Sequence, residues 1–167
     1  QDDVMRFTTE AQRHGERRFM KAMDHAGTEA QKMTERRLKH DELSELIIKS
    51  AIEVHRELGP GLLESIYEMC LAHELHEQGI PVLQQLAVPI IYKGVRMPND
   101  LRLDLLVDER IIVEVKAVEE FHPVHQAQLL TYLKLTDKRV GLLLNFNSPV
   151  LIKGIKRMMN GYLLDGE

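Results

Sequence analysis

Residues 101–117 constrain this chain more than any other stretch. Positions 101, 103, 105 and 107, then 111, 113, 115 and 117, are Leu, Leu, Leu, Val, Ile, Val, Val and Ala. Strands alternate their faces with period 2, so this spacing predicts two strands joined at Asp108-Glu109-Arg110. The even positions hold Arg102, Asp104, Glu114 and Lys116. The pattern therefore predicts one core face, and an opposite face carrying a carboxylate from each strand plus a lysine. Residues opposed across an antiparallel pair share a face. Odd must pair with odd, which needs an odd-length loop, and a three-residue turn centred on Glu109 provides it. In that register Asp104 lies opposite Glu114, with Cβ atoms roughly 5 Å apart. Two like charges that close are unfavourable. A divalent cation between them removes the conflict, because hard cations take oxygen ligands. Lys116 projects beside the same point. Carboxylates for an ion and an ammonium near an attacked phosphate are what metal-assisted phosphodiester hydrolysis requires. Alone, Glu-x-Lys on a strand is usually a solvated ion pair; the apposed Asp104 separates the two readings.

Size and charge narrow the class further. A chain of 167 residues with 44% hydrophobic content can bury one core with length to spare. Cys70 is the single cysteine, which excludes an intrachain disulfide framework and a cysteine-built zinc site. No apolar run approaches a membrane span and no secretory h-region opens the chain, so a cytoplasmic protein is expected. The net charge of −4 is uneven. Residues 1–40 hold nine Lys/Arg and seven Asp/Glu, and residues 41–167 hold thirteen and nineteen. A net-acidic domain is a poor non-specific binder of nucleic acid. That counts against a pure DNA-binding module, and less against an enzyme whose own site carboxylates contribute to the total.

The chain divides in two. Residues 1–40 contain a polar repeat, residues 9–18 recurring as 28–37 with an offset of 19. Two polar copies are too few for a solenoid. A mobile or helical extension is expected there, offering a helix to a partner. From Asp41, an expected N-cap, Leu43, Ile47, Ala51, Val54 and Leu58 mark one helix face, ended by Gly59-Pro60-Gly61. A second helix is expected from about Leu63 to Gln78, with Ile66 and Cys70 in its buried stripe and Glu64 in its first turn. If the turn is already helical at Gly61, then Gly61, Glu64 and Tyr67 share a face, Gly61 permits close backbone approach and Tyr67 supports Glu64. Residues 82–92 read as a strand, with Pro89 marking an edge or bulge, and Lys93-Gly94 as a turn. A helix follows from about Pro123, with Leu129, Leu130 and Leu133 buried. Gln128 and Tyr132 are neighbours on one of its faces, with His125 a turn earlier. Residues 139–145 suit a strand buried on both sides. Residues 149–153 would add a short strand, and 155–164 a short helix.

This order resembles the restriction-endonuclease-like core of the PD-(D/E)xK nuclease superfamily, an α/β fold of αβββαβ type with a mixed central sheet flanked by helices. Gly61-Leu-Leu-Glu64-Ser-Ile-Tyr67 resembles the naming motif of the bacterial GxxExxY proteins within it. The stretches 123–134 and 140–147 resemble that family too, and the similarity runs from about Leu43 to Asn160. The resemblance implies residues 41–167 as the nuclease-like domain and 1–40 as an extension outside it. It implies Asp104 and Glu114 as metal ligands, with the Val115 carbonyl beside them and Lys116 in the (D/E)xK element. The residue before Asp104 is Leu103 rather than the proline of the superfamily name. Glu64 matches an acid that some members place on the first helix. Gln128 and Tyr132 match a Gln-x-x-x-Tyr element that supports the site or contacts substrate; Tyr67 and His125 are expected alongside them.

The combined expectation is a Mg²⁺- or Mn²⁺-dependent nuclease acting on nucleic acid, DNA before RNA. Lys116 would orient the attacking water or stabilise charge on the phosphate, and Glu64 would bind a second ion or hold a water. A homodimer is implied by the resemblance alone. The principal rival is a nucleic-acid- or protein-binding module that keeps the fold without the chemistry.

Overall fold

The computed structural model describes residues 39–161. Helices α1 (His40–Leu58) and α2 (Glu64–Glu77) precede strands β1 (Val82–Tyr92), β2 (Val95–Val107) and β3 (Ile111–Lys116). Helix α3 (Pro123–Leu135) and β4 (Val140–Asn145) follow; a 3-10 turn at Leu151–Gly154 then leads into β5 (Ile155–Met159). The five strands lie in sequence order in one sheet. β1, β2 and β3 are antiparallel neighbours, β4 is parallel to β3, and β5 returns antiparallel to β4. The expected extension over 1–40, with its repeat and its partner-binding role, falls outside the described residues except for Lys39 and His40. Among the described residues no helix is long and apolar enough to cross a membrane.

The three-residue turn forms at Asp108-Glu109-Arg110, because Val107 pairs with Ile111. Asp108 and Glu109 take φ of 48° and 55°, and Arg110 is clamped by the Asp108 carboxylate. Leu105 opposes Val113, so the next step of the same register sets Asp104 across from Glu114. β4 is buried at every position, as a strand between two covered faces must be.

The expectation of a single core face does not hold. Leu105 and Val107 join a core with α1, α2, Ile111, Val113, Val115, Val140, Leu142 and Leu144. Leu103 and Leu101 instead join a second core with Leu106, Ile112 and Leu143 against Leu129, Tyr132 and Leu133 of α3. Consecutive odd residues of β2 thus face opposite layers, and alternation breaks at Asp104. β1 breaks at the matching place: Val82 packs with the first core and Leu86 and Val88 with the second. Gln85 sits between them at φ 50°, and the β1–β2 ladder skips its pairing with Asp104. The sheet reverses its faces at one rung, and Asp104 stands on that rung.

Other expectations shift locally. The buried stripe of α2 is Tyr67, Leu71, Ala72 and Leu75, with Ile66 and Cys70 only partly covered. α1 starts at His40 and leaves Asp41 in the first turn, paired with Arg157 at 2.5 Å, rather than at the cap. Residues 155–159 form a strand, not a helix. The buried β4 needs a partner along its second edge, and pairing Val140 through Leu144 with Met159 through Ile155 satisfies those backbone groups. Residues 151–154 form a 3-10 turn where a short strand was expected.

Candidate active site

Asp104, Glu114 and Lys116 meet at the end of the β2–β3 hairpin. The Val115 N–H donates to Asp104 Oδ2 at 2.9 Å, drawing the aspartate across β3. The Asp104 N–H approaches Glu114 Oε1 at 3.4 Å. Lys116 Nζ lies 3.4 Å from Glu114 Oε2 and 4.0 Å from Asp104 Oδ2. The glutamate side chain is only 2% exposed. Burial first, and then the Asp104 charge, push its carboxyl up to about 7, with Lys116 opposing. Asp104 is also raised, chiefly by burial, while the Val115 N–H and Lys116 pull it down. One ammonium serves two crowded carboxylates, and their charge is incompletely neutralised.

Helix α2 supplies two more acids. It begins at Glu64, whose Oε1 accepts from the Ala117 N–H at 3.0 Å, fastening the helix start to the exit of β3. One turn on, Glu68 is buried, and its Oε2 accepts from Gln85 Nε2 at 2.8 Å. Desolvation raises the Glu68 carboxyl, and the charges of Asp104 and Glu64 raise it further. Gln85 thus ties β1 to α2 at the rung where the sheet reverses, and it lies near enough to Asp104 to pull that carboxyl slightly down. Sequence reasoning missed both residues. Glu68 had a signal, since it is i+4 from Glu64 and shares its face. Gln85 had none, because its role comes from a left-handed backbone that only the assembled sheet imposes.

The remaining candidates take separate places. The Tyr67 hydroxyl donates to Gly59 O at 2.7 Å and accepts from the Leu62 N–H at 3.0 Å, and its ring stacks on Phe146. It pins the loop before α2 instead of supporting Glu64. Gly61 lies outside the helix at φ 103°, and a Cβ there would meet nothing within 4 Å, so the glycine serves backbone conformation, not close approach. On α3, Gln128 Nε2 donates to the Tyr132 hydroxyl at 2.7 Å, and Tyr132 packs in the core that holds Leu103, beside Asp104 in the chain. His125 Nδ1 accepts from the His122 N–H at 3.1 Å and so caps the start of α3. A further residue unmarked in the sequence reading is Asn145, buried at the end of β4 opposite Lys116. Its side chain accepts from Val118 N at 3.1 Å and donates to Val118 O at 2.8 Å, fixing the chain just past Lys116.

The donor set fits a hard divalent cation. Among the described residues no group of three His, Cys, Asp or Glu is arranged to hold an ion by itself. A small cation such as Mg²⁺ does not require that: it keeps several waters and takes one or two carboxylates. Asp104 and Glu114 supply that number, both oxygen donors, both held at elevated proton affinity chiefly by burial, with the Asp104 charge adding to the rise at Glu114 and the Glu64 charge to that at Asp104.

A mixed sheet with paired acids and a lysine at the end of its central hairpin defines a restriction-endonuclease-like domain. The family pattern described as the PD-(D/E)XK nuclease superfamily matches residues 41–158, and the chain belongs to that superfamily. Comparison with curated proteins and with solved structures gives no significant match.

Proposed function

We propose that the chain is a metal-dependent nuclease of the GxxExxY type, hydrolysing phosphodiester bonds in nucleic acid and specifically in DNA. One observation carries the reading: Asp104 and Glu114 are forced together across β2 and β3 with the Lys116 ammonium against both. Asp104, Glu114 and the Val115 carbonyl would hold Mg²⁺ or Mn²⁺, with Glu64 at a second ion or a water. A divalent cation in that place supplies Lewis acidity toward the phosphate and toward the attacking water. Lys116 carries three N–H donors and no acceptor, so its role is to orient the water or stabilise charge developing on the phosphate. The Val115 N–H holds Asp104 against rotation, the Ala117 N–H holds Glu64, and Gln85 holds the neighbouring Glu68. Gln128 and Tyr132 would support the site or touch substrate, while Tyr67 and His125 would act only through the loop before α2 and the start of α3 that they fasten. Residues 41–167 act as the catalytic domain, with a second copy of the chain as its expected partner.

The test is metal-dependent cleavage of a panel of single-stranded, duplex and branched DNA and of RNA. Asp104→Ala should abolish cleavage and weaken Mg²⁺ or Mn²⁺ binding measured by calorimetry. Lys116→Ala should reduce cleavage by roughly 10²–10³-fold, the scale of losing one stabilising donor, yet leave metal binding largely intact. Equal loss of both would make Lys116 structural. A non-catalytic binding module is the second reading, favoured by the lack of a preassembled three-ligand group among the described residues. Absence of both cleavage and millimolar metal binding decides for it.

A further inference from the structure

β1 and β2 are 11 and 13 residues long, but β2 pairs with β3 only through Leu105–Val107. Beyond the reversal at Asp104 the two strands continue as a ribbon, and residues 89–100 are laddered to no third strand among the described residues. The ribbon closes in a two-residue turn at Lys93-Gly94, with φ of 49° and 80°, which matches the twist of a tight hairpin. At about 3.3 Å per residue, the tip stands roughly 30 Å from Asp104 along the strand.

The tip is unusual for a surface. Ile91, Tyr92 and Val95 are 57%, 60% and 60% exposed beside one another. Lys93 Nζ lies 5.4 Å over the Tyr92 ring. From Leu86 to Leu103 the ribbon carries Lys93, Arg96 and Arg102 against the single acid Asp100, which Arg96 meets at 3.3 Å in a largely exposed pair that a phosphate can replace, whereas residues 41–167 as a whole are net acidic. An unsupported two-stranded ribbon is marginal in water, and an exposed apolar tip calls for a cover. A second copy of the chain docked tip to tip would bring like charges together. A polyanion would not. The major groove of duplex DNA admits a two-stranded ribbon, its walls are phosphates, and thymine methyls offer apolar contact.

We propose that the distal β1–β2 ribbon is a duplex-binding arm, entering the major groove with Lys93 and Arg96 on phosphates while Asp104, at its root, lies at the scissile backbone. This rests on the nuclease reading and adds its preferred substrate, duplex DNA. Springing from the strand that carries Asp104, the arm links grip to cleavage through continuous strands, bent where the ladder shifts register between Pro89 and Ile91.

The experiment measures binding of the full chain to a short duplex and to a single strand of equal length by fluorescence anisotropy, in calcium, across a salt series. Wild type should prefer duplex. Lys93→Ala/Arg96→Ala should weaken duplex binding about tenfold at low salt and reduce the salt slope by about 1.8, the value for two lost phosphate contacts. Lys93→Arg/Arg96→Lys should bind as wild type. Both positions are exposed, and an unchanged melting temperature shows that the fold is kept. Unchanged duplex affinity in the double alanine variant overturns the arm, as does equal or tighter binding to single strand. If the charge-conserving variant loses as much as the alanine variant, the effect is on folding and the inference also fails. Metal-dependent cleavage by wild type, scored separately on single strands and RNA, shows whether the nuclease reading falls with it.

Discussion

Glu114 concentrates the site's electrostatics in one side chain. Its ordinary carboxyl value of 4.5 is pushed up to about 7 by burial and by Asp104. A carboxyl raised on folding holds a proton that the unfolded chain has released. The stabilisation is therefore fully present below about 4.5 and is lost as pH rises through about 7. Asp104 and Glu68 are raised too and act in the same direction. His40, lowered mainly by burial, acts in the opposite direction nearer its own range, so the informative quantity is a difference between variants. The metal-free chain should lose melting temperature relative to Glu114→Gln as pH rises from 5 to 8. Mg²⁺ or Mn²⁺ should restore it in the wild type, and more at pH 8 than at pH 5, because a protonated carboxyl is no ligand. A parallel pH dependence in the two proteins would mean that Glu114 is not the titrating group.

Among the elements, the hairpin was legible and its reversal was not. Alternation of apolar and charged residues from Leu101 to Ala117 sufficed for the turn, the register and the meeting of Asp104 with Glu114. It could not show that Leu103 and Leu105 face different layers, because the left-handed backbone at Gln85 follows from tertiary assembly and leaves no trace in composition. β5 was illegible for a related reason: Ile155 to Met159 pairs to satisfy the edge of β4, a demand made far away in the chain. The clasp at Asn145 also lies at this scale, joining the end of β4 to the chain leaving β3. Asn145→Ala would leave the half-buried backbone of Val118 without two hydrogen-bond partners, a loss of about 2 kcal/mol. The denaturant midpoint should fall by that loss divided by the slope, with the slope itself unchanged. Cleavage should fall too, because Lys116 and the Ala117 anchor of Glu64 lie on the same few residues. An unaltered midpoint would show that water replaces the clasp.

At the scale of the molecule, the site depends on two layers closing on one sheet from opposite sides. On one face α2, packed with α1, carries Glu64 and Glu68, and on the other α3 carries Gln128 and Tyr132, with Tyr132 in the second core. The second closure is unusually tight at Gly141. A Cβ there would stand 2.7 Å from Leu129 Cδ1 and 3.0 Å from its Cγ, and Leu129 is fully buried in a packed core, so it must shift to make room. A glycine inside a strand often marks such an approach, yet within the apolar run 140–144 it carried no other sign. Gly141→Ala should therefore lift α3 from the sheet and cost about 1–3 kcal/mol, the range for overpacking a well-filled core. The loss should be uneven. Hydrogen exchange should accelerate across α3 and leave α1 and α2 protected, since they pack on the opposite face. Substrate cleavage should fall with α3 if Gln128 and Tyr132 serve the site, while metal affinity should hold if Asp104 and Glu114, on β2 and β3, are the ligands. Uniform loss of protection would mean that the two layers fold as one unit and that α3 has no separate part in holding substrate.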